Sequence, residues 1–172
     1  QNILQQFYEN TAKIAFLFQN FALQTLFFRQ IGIQVPEIII MERSIKSTLL
    51  FIEMLYRQNL LSFMETNVLF NWANILVKIF PPLLQDGVVF LRVKPETALE
   101  RIKNRNRQEE NNVTLEYLKN IGDIHTKAFD KNGVDISTYE LDCNKTHDEL
   151  EAEYIEIAEW IRKMLWLHKR AV

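Results

Sequence analysis

A chain of 172 residues, 48% hydrophobic and 24% charged, is long enough for one domain with a substantial core and is ordinary in composition for a globular protein. Its formal net charge of −2 gives no general pull toward nucleic acid or acidic lipid, and no stretch reaches the roughly 18 consecutive apolar residues of a transmembrane helix, so neither partner is expected. The single cysteine, Cys143, excludes an internal disulfide, and His125, His147 and His168 lack zinc-ligand spacing, so no metal site on the chain is expected.

Taken in chain order, Phe18, Phe21, Ala22, Thr25 and Phe28 recur at helical spacing and predict a largely buried helix over 12–30. Residues 31–36 read as a turn. Ile38-Ile39-Ile40-Met41 predicts a short strand buried on both faces, which ends abruptly in Glu42-Arg43. Helices follow over 45–57 and 68–80, the second with Leu69, Trp72, Leu76 and Ile79 on one face and stopped by Pro81-Pro82. Gly87 opens a second buried strand, 88–91. Pro95 stands where a helix can begin without losing a hydrogen bond, and that helix runs over 96–105. Thr114 caps a helix over 114–129, residues 131–133 form a turn, and 139–142 make a third strand. Thr146 and Glu149 have capping-box spacing. They open a long helix with Leu150, Tyr154, Ile157, Ile161 and Leu165 on one stripe. With no repeat and no linker-like tract, residues 1–172 read as one domain. Short strands alternating with helices predict an α/β fold with a parallel sheet covered on both faces. Functional groups in such sheets gather beyond the carboxyl ends of the strands, which directs attention to Glu42, Arg43 and Arg92.

Arg43 at that place can bind a phosphate or an acceptor oxygen, with Glu42 orienting it; a plain surface ion pair explains the same two residues. Arg101, Arg105 and Arg107 form a dense basic cluster around Lys103. Like charges on one helix face repel, so the cluster points to an anion, polyphosphate above all, and the polar stretch after it resembles a lid. Balance by Glu100, Glu109 and Glu110 is the alternative. Gln19 lies inside a buried helix and must satisfy a donor and an acceptor, either on the backbone or on a nucleobase edge. Tyr8 and Glu110 can each hydrogen-bond a sugar hydroxyl.

The segments NILQQFYEN (2–10), FQNF (18–21), IIMERSIKS (39–47), FLRVKPETALERIKNRNRQEE (90–110) and TLEYLKNIGDIH (114–125), in this order and spacing, resemble the deoxynucleoside kinase family over about 2–161. The resemblance implies a three-layer parallel sheet of the P-loop kinase type. Its strand order is 2-3-1-4-5, with 38–41, 88–91 and 139–142 as the third, fourth and fifth strands. It implies transfer of the γ-phosphate of ATP, bound with Mg2+, to the 5′-hydroxyl of a deoxynucleoside. Tyr8 and Glu110 are then expected at the 3′-hydroxyl, Gln19 on the base and Phe18 beside it. Arg43 is expected near the 5′-oxygen with Glu42 in support, and Arg101, Arg105 and Arg107 in the lid that closes on ATP. A homodimer, in the cytoplasm or mitochondria, is also implied.

The family's GxxxxGK[ST] phosphate loop and the strand bearing its general-base glutamate do not occur in these residues, which open on Gln1 rather than Met. The expectation is a chain lacking the N-terminal strands and phosphate loop, inactive alone, with 38–41 and 88–91 left on either side of a gap. Three positions depart from the family pattern. Phe21 replaces the usual tyrosine, and Lys46 stands where an aromatic is common. Ile52 falls where a base-stacking phenylalanine is expected, with Phe51 one place earlier as the substitute. Leu26 and Thr48 stand where purine- and cytidine-preferring relatives carry arginine and aspartate, a likeness to pyrimidine-preferring members. Two other readings remain open. One is an inactive relative serving as a nucleoside-binding or interaction module. The other is a thymidylate-type monophosphate kinase, against which Gln19 and Gln108-Glu109-Glu110 speak.

Overall fold

Asn2 and Asn10 set the first two helices. The Asn2 side chain accepts from the backbone of Leu4 and opens α1 (Ile3–Glu9); Asn10 accepts from Lys13 and opens α2 (Thr11–Gln30). The computed structural model describes residues 2–31, 38–80, 85–129 and 136–171. The expected turns at 32–36 and 131–133 and the Pro81-Pro82 stop lie outside them. Ser44 caps α3 (Ile45–Arg57), and a capping box of Ser62 and Glu65 opens α4 (Phe63–Ile79), five residues before the expected start. There follow β1 (Gly87–Arg92), α5 (Pro95–Arg105), a 3-10 turn (Gln108–Glu110), α6 (Leu115–Phe129), β2 (Ser137–Asp142) and α7 (His147–Ala171). Thr114 caps α6 and the Thr146–Glu149 box opens α7, both as their spacing predicts.

β1 and β2 pair in parallel, with Val89 opposite Tyr139 and Leu91 opposite Leu141. This is the neighbour relation expected of 88–91 and 139–142. The two faces are covered by different helices. Phe90 meets Phe129 of α6, and Tyr139 meets Trp160 of α7, which makes three layers. Gly87 lies close under α7: a Cβ there would come within 2.8 Å of the Met164 and Trp160 side chains, which would have to shift.

Residues 38–41 correct the sequence expectation. They belong to no strand, and Ile40 is 80% exposed. A strand exists only through its ladder partner, and among the described residues none lies beside this segment. β1 is likewise half-buried rather than fully buried, with Leu91 58% exposed. The buried stripes of two helices are also shifted. On α2 the core side is Ala15, Gln19, Leu23, Leu26 and Gln30, while Phe21 and Phe28 face outward. On α4 it is Thr66, Leu69, Ala73 and Leu76, while Trp72 and Ile79 are exposed. Both helices are apolar nearly all round, so periodicity alone does not choose the inward face. On α7 Leu150 is buried, but Tyr154 is exposed. The main core gathers Phe7, Leu23, Ile52, Leu55, Leu69 and Leu76 from α1 to α4, against which Tyr8, Phe18, Phe51 and Tyr117 pack.

Candidate active site

Three segments bring charged and aromatic side chains to one region. α1 contributes Tyr8. The junction before α3 contributes Arg43, which adopts φ 67. A left-handed non-glycine residue costs of order 1–3 kcal/mol and persists only where its surroundings hold it. Here the guanidinium lies 4.7 Å from the centroid of the Phe51 ring, one turn into α3 and beyond. The third segment runs from the end of α5 to α6. Asn106 closes α5 in a left-handed conformation, which turns the chain so that Glu110 meets both Arg105, at 2.7 Å, and Arg107, at 3.7 Å.

These groups sense one another. Burial raises the pKa of the Tyr8 phenol, and the Glu110 carboxylate raises it further; Tyr117, Arg43 and Arg105 act in the opposite direction. Tyr117, edge-on to Tyr8 at 6.1 Å, is raised much more strongly, again first by burial. Tyr8, Arg43, Arg105, Glu110 and Tyr117 thus converge, although they lie far apart in sequence. His125 sits behind this group. Its ring contacts Phe51 at 5.4 Å and Phe129 at 6.1 Å, and its Nδ1 is 2.9 Å from the Ile121 carbonyl. Burial lowers its pKa, and the nearby Arg43 charge lowers it too, against the effect of the Ile121 hydrogen bond. The sequence reading missed Tyr117 and His125. The available signal was their spacing with Ile121 and Phe129 along one face of α6.

Other expected site residues fall out differently. Ile52 is fully buried in the core, so the ring beside Arg43 is that of Phe51. Phe18 stacks on Phe7 at 4.5 Å. Gln19 is 2% exposed, and no hydrogen bond to a described residue holds its amide. The helix that carries it, α2, packs against α3. Glu42 is exposed and makes no ion pair among the described residues, so the expected orienting contact onto Arg43 is not formed. The arginine cluster divides: Arg105 and Arg107 share Glu110, while Arg101 projects its charge toward Cys143. Arg92 is engaged by Glu140 at 2.6 and 2.8 Å and by Thr126, which ties the sheet to α6. Leu26 and Thr48 are both buried.

Tyr8 and Tyr117 also border a cavity of about 190 Å³ shared with Thr11, Leu55, Gln58 and Asn112. It is lined by neither Gln19 nor Arg43 and is smaller than the ~300–1,000 Å³ of usual ligand pockets. Among the described residues no group of three His, Cys, Asp or Glu side chains is placed to hold a metal ion. No metal ligand is assigned to this chain. No helix of the described residues is long and apolar enough to cross a membrane.

The family model for deoxynucleoside kinases matches residues 1–165. The chain belongs to the deoxynucleoside kinase family. It is 33% identical over 125 residues to human mitochondrial thymidine kinase 2, covering 72% of this chain and 47% of that one. It is 30% identical over 145 residues to the mitochondrial deoxyguanosine kinase of Xenopus laevis, covering 79% and 55%. The chain therefore spans about half the length of the curated relatives it matches. Among solved structures, the deoxyadenosine kinase from M. mycoides with bound dATP superposes with a TM-score of 0.79 at 21% identity, covering 92% of this chain and 81% of that one. That likeness establishes the P-loop kinase fold.

Proposed function

We propose that the protein transfers the γ-phosphoryl group of ATP to the 5′-hydroxyl of a deoxynucleoside, with a pyrimidine preferred. The observation that carries this reading is the convergence of Tyr8, Arg43, Arg105, Glu110 and Tyr117 from three separate segments. In it, Tyr8 and Glu110 receive the sugar 3′-hydroxyl, Arg43 meets the 5′-oxygen, and the Gln19 amide pairs with the base. Phe18 and Phe51 line the base site, and Glu42 borders it. Arg101, Arg105 and Arg107 face the phosphates of ATP. The 5′-oxygen forms a bond to phosphorus while the bond to the departing ADP oxygen breaks, its electron pair staying on ADP, and the hydroxyl proton is released. The protein's part is to hold the two reactants in line and to neutralise charge. Mg2+ supplies charge neutralisation on the phosphates when it accompanies ATP.

Support for a pyrimidine preference comes from Leu26 and Thr48. Both are buried and neither is charged. A homodimer fits the outer faces of α2 and α4, which pack together and expose Leu17, Phe21, Phe28, Met64, Val68, Trp72 and Ile79. The compartment in this reading is cytoplasmic or mitochondrial. The deciding experiment is an assay of the intact protein with ATP and each of the four deoxynucleosides. Formation of a 5′-monophosphate, fastest with thymidine or deoxycytidine, is the expected result. ATP-dependent turnover of a nucleoside monophosphate instead of a nucleoside would overturn it.

A further inference from the structure

Lys46 is a departure from the family pattern that the site described above does not use. It lies three residues after Arg43, half-buried in the first turn of α3, with its Nζ 5.6 Å from the centroid of the Phe129 ring. Phe129 contacts His125, His125 contacts Phe51, and Phe51 carries the Arg43 guanidinium. Arg43 and Lys46 thus stand at the two ends of one row of three rings. Each rests on an aromatic face, and neither has a carboxylate at ion-pair distance among the described residues. That separates them from the other basic side chains of the region. Arg92 is held by Glu140, and Arg105 and Arg107 are held by Glu110.

A partly buried cation without a carboxylate partner costs free energy, and the positive end of the α3 dipole adds to the cost of Lys46. Aromatic faces relieve part of this, at about 0.5–1 kcal/mol each where exposed. They do not supply an anion. An arrangement with two unpaired cations on rigid supports is complementary to a group that brings negative charge after the nucleoside is already in place.

We propose that Lys46 contacts the transferred phosphoryl group together with Arg43, so that the site favours the phosphorylated acceptor over the free nucleoside. The inference rests on the kinase reading and adds one residue to it. Arg43 meets the 5′-oxygen, and Lys46 takes a non-bridging phosphoryl oxygen as charge accumulates there. An aromatic residue at position 46 has no cation to offer, so at this position the chain differs from its relatives at the phosphoryl end of the acceptor.

The test compares two affinities in the intact protein by calorimetry. The probes are whichever of the four deoxynucleosides binds best to the unaltered protein, and its 5′-monophosphate. Lys46→Met keeps the chain length and the packing on Phe129 but removes the charge. It is expected to weaken the monophosphate about tenfold, the loss of one charge-assisted hydrogen bond, with the nucleoside changed less than about twofold. Lys46→Arg is expected to restore the monophosphate affinity, and a thermal midpoint for each variant monitors folding. Equal losses for both probes, or no loss for either, overturn the role of Lys46 and leave the kinase reading standing. Failure of the unaltered protein to bind any of the four nucleosides overturns the kinase reading and this inference with it.

Discussion

The guanidinium of Arg105 lies 2.7 Å from the carboxylate of Glu110, across the left-handed turn at Asn106. Glu110 is the more enclosed partner, its side chain only 11% exposed. A carboxylate in that position costs free energy unless it is paired. The proposed ATP-facing arginine and the proposed acceptor of the sugar hydroxyl are therefore one unit in this structure.

From that pairing follows the expected effect of Arg105→Ala. An arginine that touched only phosphates would change turnover with ATP and leave nucleoside binding alone. Here the substitution also leaves Glu110 with only the longer Arg107 contact, 3.7 Å, among the described residues, so the nucleoside KM should rise along with the fall in kcat. Loss of one partner from an ion pair whose carboxylate is enclosed but whose guanidinium is 48% exposed is worth up to about 1 kcal/mol, or roughly fivefold in affinity. Steady-state kinetics with the nucleoside varied at saturating ATP gives both constants. An unchanged nucleoside KM would mean that Glu110 holds its place without Arg105.

Gln19 separates function from stability. The residue is 2% exposed, and no hydrogen bond to a described residue holds its amide. An amide on a core-facing position without a protein partner adds little to the stability of the folded state. Gln19→Leu, similar in volume and apolar, should therefore leave the thermal midpoint unchanged or raise it. The same substitution should raise the nucleoside KM, by an amount equivalent to about 1–3 kcal/mol, because the base loses a two-point hydrogen bond. A drop in midpoint with an unaltered KM would identify Gln19 as a core residue.

Much of this arrangement was legible in the sequence, for reasons that differ from element to element. Thr114, Thr146 and Glu149 declared their helix starts through capping chemistry, which is local and needs no tertiary partner. The pairing of β1 with β2 and the grouping of Tyr8, Arg43 and Glu110 came through the family resemblance. The strand at 38–41 failed because four apolar residues state a preference for extension, while a strand also needs a neighbour. The faces of α2 and α4 failed because Phe21, Phe28, Trp72 and Ile79 are as apolar as the residues that turn inward. Glu42 was given a partner by adjacency in sequence, but adjacent residues at a turn point in different directions. His125 went unnoticed because one histidine on an apolar helix face carries no local sign of what it touches.

His125 makes stability depend on pH in a stated direction. Burial and the Arg43 charge hold its folded pKa below the ordinary 6.5. Below about pH 6.5 the unfolded chain takes up a proton at this site that the folded protein refuses, so unfolding becomes easier. The contribution is complete above pH 6.5 and is lost as pH falls through the depressed folded value. Thermal midpoints at pH 7.5 and 5.5 should differ less in His125→Asn than in the unaltered protein. An amide nitrogen in place of Nδ1 keeps a donor for the Ile121 carbonyl while removing the titration. The same pH dependence in both proteins would assign it to other groups.

The 172-residue polypeptide by itself should self-associate, and two kinds of surface should drive it differently. The first is β structure. Among the described residues β1 pairs on one side only, through β2, which leaves a row of backbone donors and acceptors on its other edge. Leu91 on that strand is exposed, and so are Ile38, Ile39 and Ile40, with Ile40 80% open to solvent. Unpaired edges with apolar neighbours recruit further strands, and nothing in that geometry limits the number of chains. The second surface is the pair of helix faces on α2 and α4. Helix faces bury their apolar stripes against one partner and then are covered, which yields a closed dimer. The polypeptide should therefore show a dimer together with larger species that grow with concentration in analytical ultracentrifugation. Ile40→Lys with Leu91→Lys, lysine being the residue that blunts strand edges, should remove the larger species and leave the dimer. Phe28→Glu with Trp72→Glu should remove the dimer and leave the larger species. A monodisperse monomer that unfolds cooperatively would show that neither surface is sticky and that the core formed by α1 to α4 stabilises these residues unaided.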